Sequence, residues 1–144
     1  MEIAVKNIIN YFVKKPARLF LVDSIGAALT AFLLFFVLRQ FQDHFGMPTR
    51  VLIYLSLIGL IFCLYSLTCF LLLKGYWTPF LMLIALGNLS YCVLTLVCIY
   101  TYIEELTKLG EIYFLLEIAT VLAIVFVEFR VAAALKNDKK ISSG

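Results

Sequence analysis

The sequence predicts an all-α integral membrane protein: an antiparallel four-helix bundle preceded by a short amphipathic interfacial helix. Three observations carry this reading. Of the 144 residues, 64% are hydrophobic and only 15% charged, and the mean hydropathy is +1.04; a soluble domain lies nearer half apolar and a quarter charged. The apolar residues fall into four runs, about 19–38, 51–73, 76–103 and 110–135, each at or above the ~20 residues that cross a hydrocarbon layer about 30 Å thick. Within those runs, small and polar residues recur at helical spacing and give each run an inward face. The links use nearly all the remaining chain, so residues 1–144 are read as a single membrane domain.

Residues 1–15 lack the continuous apolar core and the small-residue cleavage site of a signal peptide. Lys6, Asn7, Asn10 and Lys14 recur at helical spacing, largely opposite Ile3, Val5, Ile8, Ile9 and Phe12. The pattern is that of a helix lying in the membrane interface and ended by Pro16. The first span follows, and Gly46 and Pro48 in RQFQDHFGMPTR mark a turn before the second. The Lys74-Gly75 link is too short for anything but neighbouring antiparallel spans. Tyr76 and Trp77 stand where interfacial aromatics belong, and Pro79 falls in a first helical turn, where a missing amide hydrogen costs little. The stretch EELTKLGE leads into the fourth span.

Orientation follows from the basic residues. Nine Lys and Arg lie on the side of the termini and the 74–75 link, against Arg39, Arg50 and Lys108 on the other. The positive-inside rule therefore predicts cytoplasmic N and C termini. The bias is strong enough to disfavour insertion in both orientations.

The fourth span carries Glu117, Glu128 and Arg130. Eleven positions at about 100° each bring Glu128 back to within about 20° of Glu117. A carboxylate inside a bilayer costs roughly 2.5–3.5 kcal/mol, so that face is expected to turn toward the other spans. Asp23, Gly26, Ala27 and Thr30 form the corresponding stripe on the first span, Ser56, Gly59, Cys63 and Ser66 on the second, and Asn88, Tyr91, Thr95 and Tyr102 on the third. Together they predict a polar lining along the bundle axis.

Two readings of that lining stand side by side. In one, Glu117, Asn88, Tyr91, Thr95 and Tyr54 surround a site for a small hydrophobic or cationic ligand, closed below by Asp23, Glu128, Arg130, Ser66 and Tyr65. In the other, the same groups are interhelical glue, with Asp23, Glu128 and Arg130 forming an orienting ion-pair cluster near the interface. The runner-up function for the lining is a proton-coupled small-molecule transporter with Glu117 as its titrating group. An enzyme using Glu117 and Asp23 as acid and base is disfavoured, because their depths differ by much of the bilayer.

Other chemistry is poorly represented. There is no HExxH, glycine-rich phosphate loop or nucleophile elbow. Cys63, Cys69, Cys92 and Cys98 include no CxxC pair and read as packing residues. The single histidine, His44, cannot supply a bis-histidine haem site, so no cofactor or metal is expected. The edge lysines and arginines are explained by topology, without nucleic acid. The expected partners are the lipid bilayer, a small hydrophobic or cationic ligand, and a second copy or another membrane protein.

Four stretches carry a resemblance: LVDSIGAALTAFLL, FGMP, YWTPFLMLIALGNLSYC and GEIYFLLEIA. Across residues 19–135 the chain resembles small four-span membrane proteins of bacteria to which no activity is assigned. The resemblance implies the bacterial cytoplasmic membrane as its location, and no reaction. Small multidrug-resistance exporters also have four spans and a carboxylate in the first. Here Asp23 lies too near the cytoplasmic edge, and the links differ.

Overall fold

The computed structural model describes residues 1–143, and every regular element among them is helical. Helix α1 spans Glu2–Lys14. Helix α2 runs Pro16–Leu38, α-helical to Phe32 and then wound as a π-helix over Leu33–Leu38. A single turn, α3 (Gln42–Phe45), precedes α4 (Thr49–Leu72), α5 (Trp77–Thr101) and α6 (Lys108–Ser142). Four of these, α2, α4, α5 and α6, are long and apolar enough to cross a membrane. The protein is an integral membrane protein built as a helical bundle.

The boundaries differ from the expected ones for local reasons. Pro16 does more than end α1: it occupies the first turn of α2, where its fixed φ suits a helix and its missing N–H costs nothing. Helix α5 starts at Trp77, because Tyr76 adopts a left-handed conformation, φ 58°. Helix α6 continues past residue 135, since KNDKK is polar but a good helix former. Its 35 residues measure about 52 Å at the α-helical rise, well beyond a bilayer core.

The helices associate in two pairs. Helix α2 packs along α4, and α5 along α6, while the two pairs touch each other far less. Gly59 is central to the first pair: a Cβ there would lie 3.4 Å from the Ala27 carbonyl oxygen and 3.5 Å from the Ala31 Cβ. Small residues bring the two backbones close where lipid offers no hydrophobic drive to associate.

Apolar clusters fill both ends of the bundle. One gathers Leu34, Leu38, Met47, Leu52, Phe114 and Ile118, near α3 and the α5–α6 link. The other gathers Phe20, Cys69, Leu81, Ile84 and Val131, and α1 adds Ile9, Val5 and Phe12 to it. The polar residues of the interior lie between the two.

The α3 turn locks onto the α5–α6 link. Gly46 has φ 83°, and Gly46 N–H bonds the Gln42 carbonyl at 2.8 Å. Thr107 donates its hydroxyl to the His44 carbonyl at 2.5 Å and its amide to that of Phe45 at 3.2 Å. A Cβ on Gly46 would fall 2.1 Å from the Glu105 carbonyl oxygen. Gly46→Ala is expected to destabilise the protein by roughly 2 kcal/mol or more, through left-handed strain and this clash. Gly75→Ala, with nothing within 4 Å of the new methyl, should be close to neutral. Denaturant titration in micelles compares the two.

Candidate functional site

Asp23 is buried where α2 meets the other three helices. Ser66 of α4 donates its hydroxyl to Asp23 Oδ2, and Asn88 Nδ2 of α5 donates to Oδ1 at 2.7 Å. Both carboxyl oxygens are thus engaged, by donors from different helix pairs. Glu128 of α6 lies beside Asp23 and Asn88 and is 0% exposed. Neither of its carboxyl oxygens closes a hydrogen bond of acceptable geometry.

Further along α6, Glu117 is also buried. Tyr91 donates its hydroxyl to Glu117 Oε1 at 2.8 Å, while Oε2 is buried with no partner. Asp23, Glu117 and Glu128 are the three buried carboxyls, and no lysine or arginine is buried with them among the described residues. The interior therefore holds carboxyl oxygens with acceptor capacity to spare and no buried counter-charge among the described residues.

Asp23 and Glu117 both open onto one cavity of about 330 Å³. Helix α2 supplies Gly26, Ala27, Leu29, Thr30 and Leu33, in the register of the expected stripe. Helix α6 supplies Tyr113, Leu116, Thr120, Val121 and Ile124 around Glu117. Gly59 and Phe62 come from α4, and Asn88 and Tyr91 from α5. Three aromatic rings, Phe62, Tyr91 and Tyr113, thus share the wall with two carboxyls. Leu29 and Leu116, on either side, are 57% and 63% exposed, so the cavity lies along the loosely packed seam between α2 and α6 and faces outward there. The π-helix begins at the last lining residue of α2, Leu33; wide turns of this kind often occur at functional positions.

The expected site residues separate cleanly. Asn88, Tyr91 and Glu117 all line the cavity. Thr95 is buried but spends its hydroxyl on the Tyr91 carbonyl, 2.9 Å away, and does not line the cavity. Tyr54 is 66% exposed; five residues before Gly59, it sits about 140° around the helix from that inward position. The expected pairing of Arg130 with Asp23 is not formed. Arg130 is exposed, with its guanidinium 5.8 Å from the Phe126 ring centroid. Only two positions beyond Glu128, it points to the opposite side of α6. Ser66 and Asn88 take its place at Asp23. Tyr65 turns away to the Phe80 carbonyl, 3.2 Å.

Tyr113 and Thr120 are the hydroxyl-bearing lining residues outside the expected set, and Phe62 is the one further aromatic. The spacing of Tyr113 and Thr120 from Glu117, at i−4 and i+3, was the available signal. No protein-family model, curated protein or solved structure matches the chain, so no relative's activity carries over to this site. The geometry instead predicts a contrast in double-mutant cycles. Asp23→Ala with Asn88→Ala should show a coupling of roughly 0.5–1.5 kcal/mol. Asp23→Ala with Arg130→Ala should show none beyond about 0.3 kcal/mol.

Proposed function

We propose that this protein binds a small hydrophobic ligand bearing a cationic or hydrogen-bond-donating group, taken up from the bilayer between α2 and α6. In this reading the chain is an antiparallel four-span protein of a bacterial cytoplasmic membrane, with α1 in the interface and both termini cytoplasmic. The observation that carries it is the pairing of an unengaged, buried Glu117 oxygen with an outward-facing cavity. The apolar wall would hold the body of the ligand. Glu117 Oε2 would accept from its head group, and the faces of Tyr91, Tyr113 and Phe62 favour a cation nearby. Asp23, already engaged by Ser66 and Asn88, would contribute negative potential more than a direct bond.

A second reading, a proton-coupled small-molecule transporter, is favoured by the adjacency of Glu128 to Asp23 at the cavity wall. In that scheme Glu117 remains the titrating group that meets the substrate, and the Asp23–Glu128 pair exchanges a proton as the cation arrives. Interaction with a membrane partner or a second copy along the same seam would compete with ligand access.

Binding of 2-phenylethylammonium and of 2-phenylethanol to the purified protein tests the leading reading. The ammonium should bind about tenfold or more tightly, as hydrogen bonds to charged groups imply. Glu117→Gln should erase that preference and leave the alcohol little affected. Gly26→Leu, directed into the cavity where a Cβ still has 3.7 Å to Ile124 Cδ1, should abolish binding of both while the fold persists. Failure of the wild type to bind either compound, or equal binding of both, would contradict the reading.

A further inference from the structure

A second hollow lies at the opposite end of the α5–α6 pair, separate from the cavity of the carboxyls. It has a volume of about 630 Å³ and lies between the start of α5 and the end of α6. Its wall is apolar along most of its length, through Pro79, Met82, Phe129 and Ala133. At one end the chemistry changes to Tyr76, Thr78, Lys136 and Lys139. Lys136 and Lys139 are three positions apart, so their ammonium groups share one side of α6.

Three further features mark the polar end. Helix α5 begins at this end of the hollow with no side chain capping its first amides, those of Trp77 and Thr78 (Pro79 has no N–H), so the positive end of a 25-residue helix lies beside it. Tyr76 is the one non-glycine residue with positive φ among those described, a conformation that strains an L side chain. That conformation sets its ring beneath Lys139, with Nζ 4.0 Å from the ring centroid. Asp138 is the acidic residue nearby, and it lines the adjoining hollow with Trp77 and Leu135.

We propose that this hollow binds an anionic phospholipid, its phosphate at Lys136, Lys139 and the first amides of α5, and an acyl chain along Pro79, Met82, Phe129 and Ala133. Charge complementarity selects the occupant. A basic head-group end continuous with an apolar trough in a membrane helix pair matches one phosphate joined to one hydrocarbon chain. A soluble anion would use only the polar end and leave the trough uncovered. The site is independent of the carboxyl-lined cavity and shares no residue with it.

Trp77 is the only tryptophan of the chain and stands beside this end of the hollow, so its fluorescence reports locally. The protein is titrated in nanodiscs with phosphatidylglycerol or phosphatidylcholine brominated on the upper acyl chain. Brominated phosphatidylglycerol should quench Trp77 at saturably low mole fraction, with an apparent affinity on the order of tenfold above that of phosphatidylcholine. Lys136→Gln with Lys139→Gln should remove the preference, and Ala133→Phe should reduce quenching by both lipids by filling the trough. Lys14→Gln with Lys15→Gln, outside the hollow, should leave the preference intact. Equal quenching by the two lipids, or a preference that survives the Lys136/Lys139 change and disappears with the Lys14/Lys15 change, overturns the proposal. So does a preference abolished by inorganic phosphate alone, which assigns the polar end to a free anion.

Discussion

The hydrogen bond from Asn88 to Asp23 is the constraint on which the interior depends. It is short, 2.7 Å, buried, and joins the α2–α4 pair to the α5–α6 pair across a seam with few other contacts. Ser66 engages the other oxygen of Asp23 from within the first pair. In lipid, apolar surfaces give helices little reason to choose one neighbour over another, so a polar contact of this kind fixes rotation and depth. Once Asp23 and Asn88 are joined, Gly59 can seat against Ala27 and Ala31 on one side, and Tyr91 can reach Glu117 on the other. The cavity is what remains where the two pairs fail to close between α2 and α6.

That arrangement explains why the site combines contradictory materials. Its walls are mostly side chains that belong in a bilayer, yet two carboxyls face it and a third lies behind one of them. A bundle needing only stability would bury few such groups, because each costs free energy away from water and without a counter-charge. Asp23 recovers much of that cost through two donors. Glu117 recovers part of it through Tyr91, and Glu128 has no bond of its own. The unevenness separates a structural carboxyl from two that have acceptor capacity to spare, and it is why the proposed ligand is placed at Glu117 and not at Asp23.

Much of this was legible in the sequence. The four spans follow from apolar length alone, and the Asp23-Gly26-Ala27-Thr30 stripe followed helical period directly into the cavity. Asn88, Tyr91 and Glu117 were identifiable because a polar side chain deep in an apolar run has few places to go. The differences share a cause: side chains at matched depth need not share an angle around the helix. Arg130 lies at a depth suited to Asp23 but two positions from Glu128, on the far side of the helix. Tyr54 is at a reasonable height and faces outward. Thr95 has the right angle, but a threonine in a helix can satisfy itself on its own backbone, which no spacing rule reveals. The π-helix at Leu33–Leu38 and the left-handed Tyr76 are set by tertiary packing and carry no residue signature in LLFFVL or GYW.

The contact between the two helix pairs is what assembles the polar interior. Dipolar-recoupling solid-state NMR on protein in lipid bilayers, with ¹⁵N in the Asn88 side chain and ¹³C in the Asp23 carboxyl, measures it directly. Strong dephasing, corresponding to Nδ2 in hydrogen-bond contact with the carboxyl and lost on Asn88→Ala, is the predicted result. Dephasing no greater than in the Asn88→Ala sample would mean that Asp23 and Asn88 do not meet and that the two helix pairs are not joined through them.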